Sequence, residues 1–118
     1  MKFKALYKRP GKKPEVRYIS NSPAKIDSLV GGHFEPLKLK LYPYESAPQV
    51  TIFFFAEAVI MREDYNFTII VDPNDKKTWL DLSGPVVVFG RKDDELCDID
   101  LTEDDMKWLF QEPYEVET

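Results

Sequence analysis

Phe3, Ala5 and Tyr7 alternate with Lys2, Lys4 and Lys8, a period of two that predicts a strand with one buried, aromatic face and one wet face. Pro10 and Pro14 bracket Gly11-Lys12-Lys13. Pro14 has no backbone N–H and Pro10 has a fixed φ, so the chain must leave the ladder and turn there. Val16 to Ile19 reads as a short second strand. Ser22 is a good N-cap and Pro23 suits the first helical position, where a missing N–H costs nothing. A helix of about two turns is predicted to follow, with Ala24, Ile26, Leu29 and Val30 near one face. Gly31 can close it in the left-handed conformation, and Gly32 frees the chain to re-enter the sheet at Phe34.

Leu37, Leu39 and Leu41 alternate with Lys38 and Lys40 as a third strand. Tyr42 to Pro48 holds two prolines in seven residues and reads as a loop able to carry mobile aromatic side chains. Val50 to Phe55 is apolar on both alternations, the mark of a central strand covered on both faces. Glu57 to Asp64 fits a short helical turn and a bent strand extension equally well. Phe67 to Val71 is a strand, Asp72-Pro73-Asn74-Asp75 a turn, and Trp79, Leu80 and Leu82 lead into Gly84-Pro85. Val86 to Phe89 is a buried strand ended by Gly90. Asp93-Asp94 reads as a hairpin tip, and Leu96 to Asp100 as a returning strand that leaves Cys97 near the core. Thr102 caps a last helix over Glu103 to Gln111, whose first-turn acids meet the positive end of the helix dipole. These elements predict one α+β domain over residues 1–111, with a mixed or mostly antiparallel sheet of about five to seven strands and two short helices. Residues 112–118 read as a frayed acidic tail.

A chain of 118 residues with 43% hydrophobic content is long enough to bury a core without staples. Its single cysteine cannot form an internal disulfide, and Met1-Lys2-Phe3-Lys4 opens no apolar segment of signal-peptide length. A cytoplasmic protein is expected. The longest apolar stretch, Ile52 to Met61, is interrupted by Glu57 and falls short of the roughly 20 residues that span a bilayer, so no membrane partner is expected.

Charge is divided sharply along the chain. Residues 1–48 hold ten Lys/Arg against four Asp/Glu, and residues 49–118 hold six against seventeen. If the early strands share one sheet, Lys2, Lys4, Arg17, Lys38 and Lys40 give it a basic outer face. That face either keeps an exposed sheet soluble or binds an anion or nucleic acid, with Tyr7 or Tyr18 available to stack on bases. Tyr42, Tyr44, Trp79 and Trp108 are the residue types that anchor protein interfaces, and equally the types that fill cores.

Candidates for catalysis are poor. His33 is the only histidine and has no neighbouring ligand residue for zinc. Cys97 sits among Glu95, Asp98 and Asp100, an unfavourable setting for a thiolate nucleophile. Asp98-x-Asp100-x-Thr102 opens like a calcium loop but has Glu103 where the loop needs glycine. Gly84 to Lys92 has the wrong glycine spacing and lacks the Lys-Ser/Thr of a phosphate loop. No cofactor is implied, and a non-enzymatic protein is expected. Asn66 is accounted for as a turn residue bonded to its own backbone.

The Pro-Gly-x-x-Pro-Glu turn at residues 10–15 and Leu29-Val30-Gly31-Gly32 together resemble the family catalogued as domain of unknown function 3846. Asp64-Tyr65-Asn66-Phe67, the Gly84 to Gly90 strand and Leu101-Thr102-Glu103-Asp104-Asp105 extend the likeness over nearly the whole chain. Pro85 and the Pro/Tyr loop depart from the family pattern. The resemblance implies a phage or mobile-element setting and a small accessory role, with a host or phage protein as partner. It carries no catalytic residue. A homodimer joined at a sheet edge is a further option.

Overall fold

Backbone hydrogen bonding in the computed structural model, which describes residues 1–75 and 77–111, gives eight strands and two helices. The first unit forms as its turn chemistry dictates. Strand β1 (Lys2–Lys8) pairs antiparallel with β2 (Glu15–Ser20), and helix α1 (Pro23–Val30) follows. The Ser22 hydroxyl accepts from the Lys25 N–H, and Gly31 ends the helix at φ 100°. Strands β3 (Phe34–Lys40), β4 (Gln49–Phe55), β5 (Tyr65–Ile70), β6 (Trp79–Ser83), β7 (Val86–Lys92) and β8 (Glu95–Cys97) come next, and α2 (Glu103–Leu109) closes the order.

All pairings are antiparallel. The main sheet runs β2-β1-β7-β4-β3, with β8 beside the far end of β7, while β5 and β6 form a separate hairpin. Eight strands exceed the predicted number because Trp79 to Ser83 pairs with β5 rather than serving as a connector. The tail expected over residues 112–118 lies outside the described residues.

Both faces of the main sheet are covered, which explains why β4 and β7 are apolar on both alternations. Ile26 and Val30 of α1 pack on Ala5, Tyr7, Phe53 and Phe89. On the opposite face Phe67, Ile69, Leu82 and Leu109, from the hairpin and α2, meet Leu6, Ile52, Val86 and Val88.

Three local expectations change. Gly90 does not end its strand. It lies inside β7, where the segment after β8 crosses so closely that a Cβ would sit 2.4 Å from the Asp98 carbonyl oxygen. The returning strand is correspondingly short, because Asp98 and Ile99 turn away from β7 to bond Lys4: the Lys4 N–H donates to Asp98 Oδ1 and the Ile99 N–H to the Lys4 carbonyl. Residues 56–62 form consecutive turns, not a strand extension, with the Met61 N–H on the Glu57 carbonyl at 2.9 Å. The Asp93-Asp94 tip stands as read, both residues having positive φ (52° and 60°), as a tight primed hairpin turn requires.

Candidate functional site

Register decides which side chains share a face, since directly paired residues point the same way. Arg17 pairs with Ala5, on the α1 side, whereas Lys2 and Lys4 pair with Ser20 and Tyr18 on the other. Lys38 and Lys40 belong to the α1 side but lie on β3, at the opposite edge. Four strand spacings, about 19 Å, separate β2 from β3. The five basic residues therefore form no common face. Arg17 lies 4.6 Å from the centre of the Tyr7 ring and pairs with Glu15, and Lys38 bonds Asp94 at 2.8 Å. Tyr7 is buried under that contact and offers no ring to a base, while Tyr18 is 70% exposed beside Lys4.

The aromatic candidates are gathered more closely. Tyr42 and Tyr44 stack at 5.5 Å between centroids and 8° between planes, and Tyr42 meets Trp108 at 5.7 Å. A ladder of three rings thus runs from the β3–β4 loop to α2. The loop is pinned where mobility was expected. The Leu41 N–H donates to the Pro48 carbonyl, the Ala47 N–H to the Tyr44 carbonyl, and Leu41 and Ala47 are buried. Trp79 stands apart on β6, opposite Ile70.

Asp105 joins the ladder to the helix start. Its N–H donates to the Thr102 hydroxyl while its carboxylate accepts from the Thr102 N–H, a reciprocal cap. The Tyr42 hydroxyl donates to the same carboxylate at 2.8 Å. Burial, the Asp105 bond and the neighbouring negative charges push the Tyr42 hydroxyl up to about 12 from 10.0. Partial burial works against Asp105 ionisation, yet the Thr102 and Tyr42 bonds hold its carboxyl below the usual range. Because the folded Tyr42 value is raised, its contribution to stability is complete below pH 10 and is lost as pH rises toward about 12. Tyrosinate absorbance at 295 nm should show one late-titrating tyrosine that Tyr42→Phe removes. Tyr44, 54% exposed, tops the ladder, and exposed Glu45 and Asp104 make its rim acidic.

Asn66 has a role that local sequence reading missed. A bulge between Tyr65 and Phe67 turns it inward. Its Nδ2 donates to the Lys8 and Gly84 carbonyls, both at 2.8 Å, and its Oδ1 accepts from Lys8 Nζ at 2.8 Å. The amide orientation is fixed, since a flipped amide would face both carbonyls with an oxygen. No local turn signal encodes this, because the partners are 58 and 18 residues away. The apolar stretch that was left open proves to expose Val59, Ile60 and Met61 at a turn.

His33 is exposed and stacks on Phe34. Among the described residues no group of three His, Cys, Asp or Glu is placed to hold a metal, and no helix is long and apolar enough to cross a membrane. Burial and the Asp98 charge raise the Cys97 thiol, with Lys92 opposing. Iodoacetamide at neutral pH should accordingly alkylate Cys97 more slowly than free cysteine, a rate that mass spectrometry reads directly.

No curated protein and no solved structure matches the chain. The family model described as a domain of unknown function (DUF3846) matches residues 1–115, and the chain belongs to that family.

Proposed function

We propose that this DUF3846 member works by binding a partner protein through the Tyr42–Tyr44–Trp108 ladder and its acidic rim, without catalysing a reaction. One observation carries the reading: three separated aromatic residues converge into a continuous stack whose outer ring is exposed and whose inner ring is anchored to Asp105. A rigid aromatic anchor loses little side-chain entropy on binding, and aromatic residues dominate the energetics of interfaces. With Glu45 and Asp104 at the edge, the complementary surface is basic. The family resemblance points to a host or phage protein as the partner and to an accessory role inside the bacterial host. Nucleic-acid binding over Lys2, Lys4, Arg17, Lys38 and Lys40 has less support, because register divides these residues between two faces and two edges.

The test is affinity capture from host extract with the tagged protein, with and without nuclease, in parallel with Tyr44→Ala. Removing an exposed ring should leave the fold intact and weaken a true partner roughly thirtyfold, about 2 kcal/mol. A retained protein that survives nuclease and disappears with Tyr44→Ala supports the reading. Capture that is nuclease-sensitive, or indifferent to Tyr44, counts against it.

A further inference from the structure

The turn between β1 and β2 does more than reverse the chain. It walls a recess of about 350 Å³, closed on other sides by Asn66 and Phe110. Lys8, Lys12 and Lys13 all line it, and no carboxylate does among the described residues. We propose that this recess binds a phosphate-bearing small molecule of nucleotide size.

Charge is the first argument. The protein is net −5, yet three lysines converge on one concavity, which focuses a positive field where an anion can enter. Pre-organisation is the second. Lys8 is only 9% exposed, and its Nζ is aimed by Asn66 Oδ1 at 2.8 Å and the Arg9 carbonyl at 3.1 Å. Asn66 is itself clamped to two backbone carbonyls, so the ammonium is held from three elements, β1, β5 and the Gly84 turn. Pro10 and Pro14 stiffen the opposite wall, and the Lys12 N–H closes it on the Arg9 carbonyl.

Access is the third. Gly11 has φ 71°, and a Cβ there would meet nothing within 4 Å, so bare backbone faces open space and a phosphate can approach it closely. Lys12 and Lys13 are exposed and able to fold over a bound anion. Phe110 supplies an apolar surface for a ring or sugar attached to the phosphate. The volume falls within the range of small-ligand pockets, roughly 300–1,000 Å³. These residues are separate from the aromatic ladder, so the two sites stand or fall independently.

The experiment titrates inorganic pyrophosphate and AMP into the full chain and follows backbone amide shifts by NMR. Saturable shifts at Gly11, Lys12, Lys13 and Asn66, with affinity of about 1 mM or tighter, are expected. Affinity should fall as salt rises and weaken roughly tenfold or more in the double variant Lys12→Ala/Lys13→Ala. AMP should additionally shift the Phe110 ring signals. Absence of saturation at these residues, or affinity unchanged in the double variant, would overturn the proposal. Residues after Gln111 include Glu112, Glu115 and Glu117, so a full-length variant carrying E112Q/E115Q/E117Q is titrated alongside. Pyrophosphate binding by that variant alone would assign the recess to the chain's own carboxylates and overturn a free ligand. A single-stranded DNA oligomer that binds with no loss in the double variant would do the same.

Discussion

Replacing Asn66 with alanine should destabilise the protein by about 3 kcal/mol, because it strips partners from three groups at once. The Lys8 and Gly84 carbonyls each lose an amide donor, and Lys8 Nζ loses an acceptor. Asn66 is buried, so water cannot replace those bonds without opening the join between β1, the β5–β6 hairpin and the Gly84 turn. A buried group left unsatisfied costs about 1–3 kcal/mol, and that sum is a large share of the roughly 5–15 kcal/mol that holds a domain folded. Asn66→Asp should not rescue it. A carboxylate keeps an acceptor for Lys8 but turns an oxygen toward both carbonyls, which have no proton to share. Urea unfolding gives the readout: a lower midpoint with an unchanged slope, for both variants, indicates lost stability in an unaltered fold. A midpoint shift under 1 kcal/mol for Asn66→Ala would show that the clamp carries little of the join.

Gly90→Ala should cost as much by a different mechanism. The added methyl would lie 2.4 Å from the Asp98 carbonyl oxygen, 3.0 Å from its carbon and 3.1 Å from Cys97 Sγ. Two of these are backbone atoms, so relief requires moving the crossing segment away from β7. That movement breaks the bonds linking Asp98 and Ile99 to Lys4. Overpacking of this kind costs about 1–3 kcal/mol, and the lost bonds place the expectation near 3 kcal/mol, or roughly a 10 °C fall in Tm for a domain of this size. Gly11→Ala is the contrast. Its methyl meets nothing within 4 Å, and only the positive φ of 71° opposes it, for a cost of about 1–2 kcal/mol. Thermal melts of the two variants should differ in that order. Equal shifts would mean that backbone conformation, and not the crossing at Asp98, requires glycine at position 90.

The parts of the fold legible in the sequence are those encoded locally or by covered faces. Pro10, Pro14, Ser22, Pro23 and Gly31 each act within a few residues of themselves, so the β1–β2–α1 unit follows from them. Strands β4 and β7 declare themselves by being apolar on both alternations, the direct consequence of a layer on either side. What was not legible depends on register and on distant partners. Lys4 and Arg17 both read as wet-face residues of neighbouring strands, yet pairing Ala5 with Arg17 puts them on opposite faces. One residue of register reverses every such assignment. Gly90 reads as a strand end until the crossing segment supplies the carbonyl that demands it. Asn66 reads as a turn residue because Lys8 and Gly84 are remote in sequence. Tyr42, Tyr44 and Trp108 were legible as residue types, while their convergence needed the loop to be pinned by Leu41 and Ala47.

The most direct test of partner binding at the ladder is a photo-crosslinking amino acid placed at position 44 in the host cell, with position 18 as the exposed aromatic control. A discrete crosslinked protein from position 44, absent from position 18 and lost when Glu45 and Asp104 are reversed to lysine, is the result this account predicts. No crosslink at position 44, or the same products from both positions, would contradict it.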